Sequence, residues 1–585
     1  MREDQFKVLQ HFKNISIQVH RIEKNYITMD KGFLDDFPTS IHQGGIDLER
    51  IAELMVDISD NFQLMQRMEK YELATLISFT NSITSPATSE FSSTLINEFY
   101  STLFGLDSQY ISKDMLTQVV QMYEMLPQKS CLIQLTPQQY VYFLYKNIAL
   151  TELKAYILIE YSLMIRWVSG QRDLIDEWKT IRLNYGQRAE QSLRQLRILS
   201  QQSDRLLWRC DPAKHILNVT YDEVTRLLQG YVENEVDLSK EGSCSKTCPY
   251  YQNTTSTACF HQEFCSQQPQ CRGRIYNCQV IESDLTVCQS PWKSSRRYEY
   301  IQYGTGQRFG KQKSCSRDTN NVESWRRWLF WKCSYCFCLC DDHYNSDRYF
   351  NLRETVSDVK ANKVVTGVRF VKKNRVFHLQ IQQGQLLPRG EINQSTVEWK
   401  PVDGYKIDDT NIREGVDYHS MNYKSRGLNL DEITYTNDKA FVVTGVRFQA
   451  TNGRLNLIVL FSNFDFVKGL LIEPESTRKY QSNSNIEGRE KLHLTNLDVP
   501  TLSIDSSQPL SKDGQYLEFV NTGMEQDAAQ TTIPFIDIQD VVSNHPVPLS
   551  GIGIYYKGSL GYGGFVAPKI ISYDISPHLP LVTML

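Results

Sequence analysis

Twelve of the fourteen cysteines crowd into 97 residues, and no other feature limits the fold as strongly. They are Cys244, Cys248, Cys259, Cys265, Cys271, Cys278, Cys288, Cys315, Cys333, Cys336, Cys338 and Cys340, with Cys131 and Cys210 standing apart. The segment around them, 236–345, is poor in aliphatic residues and rich in Ser, Gln and Arg. Such a stretch buries too little apolar surface to hold itself together, so covalent crosslinks are expected to do so. An even total permits complete pairing, although spacing does not dictate connectivity. Cys336, Cys338 and Cys340 alternate and would project from one face of a strand. Three bonds from that strand are expected to tie the segment to the region that follows it. The alternative is a reduced protein holding zinc, for which Cys333-x-x-Cys336 is a legitimate ligand pair but a second such pair is missing.

Four acceptor sequons accompany the cysteines, at Asn14, Asn218, Asn253 and Asn393. Together they point to an oxidising, extracellular setting. The start, Met1-Arg2-Glu3-Asp4-Gln5, holds no apolar signal region and reads as a mature chain behind an added methionine. The most apolar stretch, 149–170, is interrupted by Glu152, Lys154, Glu160 and Arg166, which argues against a membrane span. A net charge of -4 excludes a strongly basic nucleic-acid binder.

Three regions follow from the patterning, giving an α+β multidomain chain. Residues 1–235 read as an antiparallel helical bundle. Leu48, Ile51, Met55, Ile58, Phe62, Met65 and Met68 recur at steps of three and four, and Leu9, Phe12, Val19, Ile22 and Tyr26 suggest an earlier helix. Leu174, Trp178, Ile181 and Tyr185 form a further stripe, and all these stripes are read as core rather than as a partner surface. Residues 236–345 form the disulfide-rich middle. Residues 346–585 alternate with a period of two and read as an all-β domain with internal repeats. Val364-Val365-Thr366-Gly367-Val368-Arg369-Phe370 returns 78 positions later as Val442-Val443-Thr444-Gly445-Val446-Arg447-Phe448, and faintly as Leu549-Ser550-Gly551-Ile552-Gly553-Ile554-Tyr555. Each copy reads as a hairpin, turned at Lys372–Arg375, at Thr451–Arg454 and at a Gly-rich loop. Three hairpins with one apolar face each must pack together, which suits a three-sided β-prism, with a β-sandwich as the second choice.

Motifs for chemistry are mostly absent. The chain contains neither a His-Glu-x-x-His helix nor a Gly-x-Ser-x-Gly elbow. Gly304–Lys311 resembles a phosphate loop only at a glance, since its spacing fits no nucleotide fingerprint. No catalytic residue, cofactor or metal ligand is assigned, and His378 reads as an ordinary sheet residue. Trp325, Arg326, Arg327, Trp328 and Trp331 have the composition of a binding hot spot, but packing against disulfides is the simpler reading. Lys293, Arg296, Arg297, Arg308, Lys311, Lys313 and Arg317 could meet heparin-like polyanions, against a plainer reading as solvated loop.

The run Trp331–Cys340, with Asp347-Arg348-Tyr349-Phe350, Val364–Phe370, Val397–Asp403 and Val442–Phe448, resembles a family of secreted insect proteins with an uncharacterised domain. Mosquito salivary proteins, including the labrum-interacting type, are among its members. The resemblance covers about 330–470 and implies secretion into saliva, no catalytic residues, and action by binding host molecules or a cuticular protein of the insect's own mouthparts. The expected function is therefore a non-enzymatic, protein-binding secreted protein. Two alternatives stay open: a carbohydrate-binding, lectin-like module using Gly- and Tyr-rich hairpin tips such as Gly558–Gly564, and an extracellular enzyme of unrecognised type.

Overall fold

A computed structural model describes residues 3–23, 48–84, 98–99, 128–260, 264–310, 315, 317, 319–323, 333–435, 440–483 and 488–579. Two units emerge, residues 1–205 with 574–585 and residues 206–573.

The first unit is helical: α1 (Glu3–Glu23), α2 (Leu48–Arg67), α3 (Leu73–Thr84), α4 (Pro137–Val168) and α5 (Ile175–Gln202). Thr136 starts α4 with a reciprocal capping box to Gln139, and Pro137 takes the first turn, where its missing N–H is not needed. The helices α1, α2, α3 and α5 all pack on α4, so it is buried nearly all round. Its embedded charges are met one by one: Glu152 by Arg188 (2.8 Å), Lys154 by Glu23 (2.6 Å) and Glu160 by Arg182 (2.7 Å). Glu160 meets Arg182, Tyr156 stacks on Tyr185 and Glu152 meets Arg188, so partners advance in opposite directions and α4 and α5 are antiparallel. Among the described residues no helix is long and apolar enough to cross a membrane.

Ile51, Ile58, Phe62, Met65 and Met68 are buried, joined by Leu54, which the three-and-four count misses. Leu9, Phe12 and Val19 are buried, whereas Ile22 near the end of α1 is exposed and Tyr26 lies outside the described residues. The helical reading of 1–235 runs too far: α5 ends at Gln202, and strand follows at 206–207, 221–222 and 229–234.

In the second unit the cysteine-rich segment builds a three-stranded sheet from β1 (Gln229–Asn234), β2 (Arg274–Ile281) and β3 (Tyr335–Asp341), with β3 central. Beside it lies a small sheet of Leu285–Gln289, Tyr298–Tyr303, Arg308–Phe309 and Thr319–Val322.

The remaining strands form three sheets, each centred on one repeat: β4 (Lys363–Lys373) with β5 (Val376–Leu386), β6 (Phe441–Thr451) with β7 (Arg454–Asp465), and β8 (Leu549–Gly558) with β9 (Phe565–Ser572). A parallel strand flanks the second strand of each hairpin: Tyr349–Asn351, Gly427–Leu430 and Phe535–Asp537 respectively. The chain leaving each of these strands then crosses to the first strand of another hairpin. Thr355–Val356 pairs with β6, Glu432–Thr434 with β8, and Val541–Val542 with β4. Each copy thus lends a strand to the next and the last lends to the first, a cyclic three-sheet prism. The register shifts once in every hairpin, at the Gly of the repeat: Gly367, Gly445 and Gly551. A Cβ at Gly367 would lie 2.4 Å from Val542, at Gly445 2.8 Å from the Thr355 carbonyl oxygen, and at Gly551 2.7 Å from Thr434. Only a residue without a side chain admits the lent strand there.

Phe370, Phe448 and Ile554, from equivalent places in the three hairpins, meet in one shared core with Leu352, Leu430 and Ile538. Phe370 and Phe448 stack at 6.3 Å.

Candidate functional site

All fourteen cysteines are disulfide-bonded, Cys131 and Cys210 included. The alternating sulfurs of β3 take Cys248 (from Cys336), Cys278 (from Cys338) and Cys271 (from Cys340). The other pairs are Cys244–Cys333, Cys259–Cys265 and Cys288–Cys315. Every one of these six bonds closes within the cysteine-rich segment. The expected covalent tie from β3 to the region after 345 is therefore corrected. That junction is polar and aromatic instead: Arg348, fully buried, pairs with Asp341 and donates to the Asp342 carbonyl (3.0 Å), and Tyr276 stacks flat on Tyr423 at 4.0 Å. Glu235 lies near Cys248 and Cys336, but those sulfurs are bonded to each other, and the carboxylate accepts the Cys248 and Ser334 N–H groups at 3.0 Å each. With no thiolate there, the group lacks the charge that a soft metal ion needs.

Of the sequon residues, Asn14 on α1, Asn218 and Asn253 are exposed, while Asn393 is half-buried. Asn253 accepts from Arg274 (2.7 Å) and Tyr276 (3.1 Å), and Asn218 sits in the left-handed region at φ 61°. Trp325, Arg326, Arg327, Trp328 and Trp331 lie outside the described residues, as do Lys311 and Lys313. Within the basic stretch, Arg297 is 4% exposed and salt-bridged to Asp342 (2.9 Å), and Arg296 is taken by Asp527 (2.7 Å). These two guanidinium groups are spent on internal contacts. The Gly304–Gly310 run turns a small hairpin, with the N–H groups of Gly304, Gly306 and Gly310 donated to the carbonyls of Asp284, Tyr303 and Glu525. His378 is buried on β5, and burial pushes its imidazole down to about 4.

The Gly558–Gly564 tip is not an open tyrosine platform. Tyr556 is buried beneath it, and its backbone clasps Asp498 through Asp498 N–H to Gly561 (2.9 Å) and Gly563 N–H to Asp498 (2.8 Å). Apolar side chains project here instead. Leu560 is 98% exposed and Ile504 99%, and their loops are joined where the Ser559 hydroxyl donates to the Asp505 carbonyl (3.0 Å). Leu502 and Leu510 nearby are half-exposed.

Behind this hairpin Lys557 is wholly buried between Asp537 (2.7 Å) and Asp211 (3.0 Å). Burial alone would push Asp211 up, but His215, Lys557 and the Ser507 N–H hold it well below the usual carboxylate range.

Three ion pairs mark the seams between copies. Asp540 holds Arg369 (2.9 Å) and Glu354 holds Arg447 (3.5 Å). In the third seam the equivalent of the arginine is Gly553, and Lys569, its cross-strand neighbour, pairs with Glu432 instead. A Cβ on Gly553 would fall 2.8 Å from the Lys569 side chain, so the glycine makes room for that lysine. The repeat displayed Arg369 and Arg447, but their acids are far away in sequence and carry no motif.

At the Asp540–Arg369 seam a cavity of about 680 Å³ opens. Arg369 and Lys372 of β4 line it, with Asp540 from the lent segment and Arg209, Asn218 and Asp222 from the chain that enters the prism. Lys372 is held by Asp222 and by Asp347 (2.9 Å), and Arg369 lies over Trp399 at 4.2 Å. No sequence pattern pointed to this place, because its residues come from three separated segments.

No curated protein matches this chain. Residues 128–381 match the family model described as Domain of unknown function (DUF4803), an uncharacterised domain that here takes in α4, α5, the whole cysteine-rich segment and the first prism hairpin as far as Ile381.

Proposed function

We propose that this chain is a secreted, non-enzymatic binding protein of the insect salivary kind, acting by docking another protein on its β-rich unit. The partner class is a host protein or a cuticular protein of the mouthparts. Complete pairing of fourteen cysteines supports an oxidising address, since such density is rare where thiols are kept reduced. The resemblance over 330–470 supports the salivary reading. One observation carries the docking role: Ile504 and Leu560, almost fully exposed, stand on two loops hydrogen-bonded to one another. Single exposed leucines are ordinary, but a pair of aliphatic side chains held in water on joined loops, with the exposed Leu502 two positions from Ile504, is the composition of an interface centre.

The test is capture from saliva-contacting cuticle and host plasma by the secreted protein, compared with the Ile504→Asp/Leu560→Asp double variant. The same specific partner should be retained by the wild type and lost, tenfold or more in affinity, by the variant, at unchanged melting temperature. Equal retention by both would refute this docking surface.

A further inference from the structure

The cavity at the Asp540–Arg369 seam has a charge count that selects its ligand. Three cations line it, Arg209, Arg369 and Lys372, against two carboxylates, Asp222 and Asp540. Asp540 is committed to Arg369, Asp222 to Lys372, and Asp347, outside the lining, is shared between Lys372 (2.9 Å) and Arg375 (3.6 Å). Arg209 has no side-chain partner among the described residues, and neither does the amide of Asn218. One positive charge is therefore left over, half-buried beside an amide that both donates and accepts.

We propose that this cavity binds a single monoanionic saccharide unit, one sugar ring bearing a carboxylate or a sulfate. Arg209 supplies the fork that such a group accepts in bidentate fashion. Asn218 and the outward lone pairs of Asp540, whose side chain is 46% exposed, suit ring hydroxyls, each of which is donor and acceptor at once. The two carboxylates on the wall repel ligands of higher charge, so di- and triphosphates would carry charge into the cavity that nothing neutralises. The volume accommodates a ring with its substituents and lies within the range of ordinary ligand cavities. The second seam keeps an arginine, Arg447, but the position of Lys372 is Ala450 there; in the third copy it is Tyr556, and Arg369 is replaced by Gly553. This site is separate from the Ile504–Leu560 surface, so either can fail alone.

Asn218 heads a sequon, and a glycan there would take its amide, so the test uses the full-length chain secreted into a bacterial periplasm, which is oxidising but adds no such glycan. Glucuronate, N-acetylneuraminate and N-acetylglucosamine 6-sulfate are titrated by calorimetry or ligand-observed NMR, with glucose and galactose as neutral controls. At least one acidic sugar should bind, more weakly as salt is raised, while the neutral sugars stay silent. The carboxylated and sulfated arms identify which anion is taken. Arg209→Gln breaks no side-chain hydrogen bond or ion pair among the described residues and should weaken binding about tenfold or more, as loss of a charge-assisted bond implies. Asp540→Asn, which removes a wall charge and frees Arg369, should strengthen it. No binding of any acidic sugar at about 10 mM, far above what a single salt-bridged ring requires, overturns the proposal. Equal binding of neutral sugars, or an affinity unmoved by Arg209→Gln in a protein of unchanged melting temperature, overturns it as well.

Discussion

Gly367 and Gly186 occupy opposite extremes of what a missing side chain does. At Gly367 an added methyl would strike Val542 and the Val541 carbonyl, where the lent strand passes. Gly367→Ala should cost about 1–3 kcal/mol through overpacking, read as a lower denaturant midpoint at unchanged slope. Gly186 lies inside α5 with nothing within 4 Å of a new Cβ. Gly186→Ala should stabilise by about 0.5–1 kcal/mol, because helix entropy is the only term left. A loss there would contradict the helix. Glu233 offers a pH test. It is buried on β1, accepting from Tyr231 and from Ser256 (3.2 Å), and burial chiefly, with Asp237 nearby, pushes its carboxyl up to about 8. Between pH 4.5 and 8 the folded protein keeps a proton that the unfolded chain has released. Stability from this group is thus complete below about 4.5 and gone above about 8, a fall on the order of a few kcal/mol. Glu233→Gln should flatten that slope in non-reducing denaturant titrations, and an unaltered slope would count against it. At this scale the sequence was only partly informative. The Asn452-Gly453 turn was legible, and it does take positive φ at both residues (53° and 73°). Asn374-Arg375 does the same (51° and 72°), and no propensity foretells a left-handed arginine. Its guanidinium, donating to the Ser346 carbonyl at 2.6 Å, helps to hold it there.

Secondary elements were more transparent, wherever a pattern runs long enough to repeat. Two hairpins were legible from alternation and the recurring Val-Thr-Gly-Val-Arg-Phe, the third from its fainter copy at Leu549–Tyr555, and α2 from its apolar stripe. The lent strands were not, since Thr355–Val356 and Val541–Val542 are too short to display a period. Disulfide density was visible, but partners were not, because pairing is decided by where β3 lies between β1 and β2. The strand β3 is the best place to perturb the cysteine-rich layer. Replacing Cys248 and Cys336 together by Ala opens a bond spanning 88 positions, and should cost about 2–5 kcal/mol. Differential scanning calorimetry on the double variant under non-reducing conditions would register this as a lower transition temperature, and an unchanged one would show the bond to be dispensable. The cavity was illegible for the same reason as the lent strands: Arg209, Arg369 and Asp540 meet only after the chain has closed.

The whole molecule divides where α5 ends, not at 235, and the cysteine-rich segment belongs with the prism in one unit. Composition separates those two regions sharply, yet composition does not report that Arg348, Tyr423 and Gln530 cross the junction, the last by donating to the Gly230 carbonyl at 2.9 Å. Because every hairpin holds an edge strand from another copy, residues 206–573 should unfold in a single calorimetric transition under non-reducing conditions, with van't Hoff and calorimetric enthalpies equal for that unit. Separate transitions for individual hairpins would contradict the closed ring. The same closure has a cost during biosynthesis. Gly367 waits for Val542, made 175 positions later, so at about 5–20 residues per second the nascent chain carries an unprotected sheet border for roughly 10–35 s. Chaperones have that interval in which to shield it, and a ribosome stalled before the third copy would release a sticky, unfinished polypeptide.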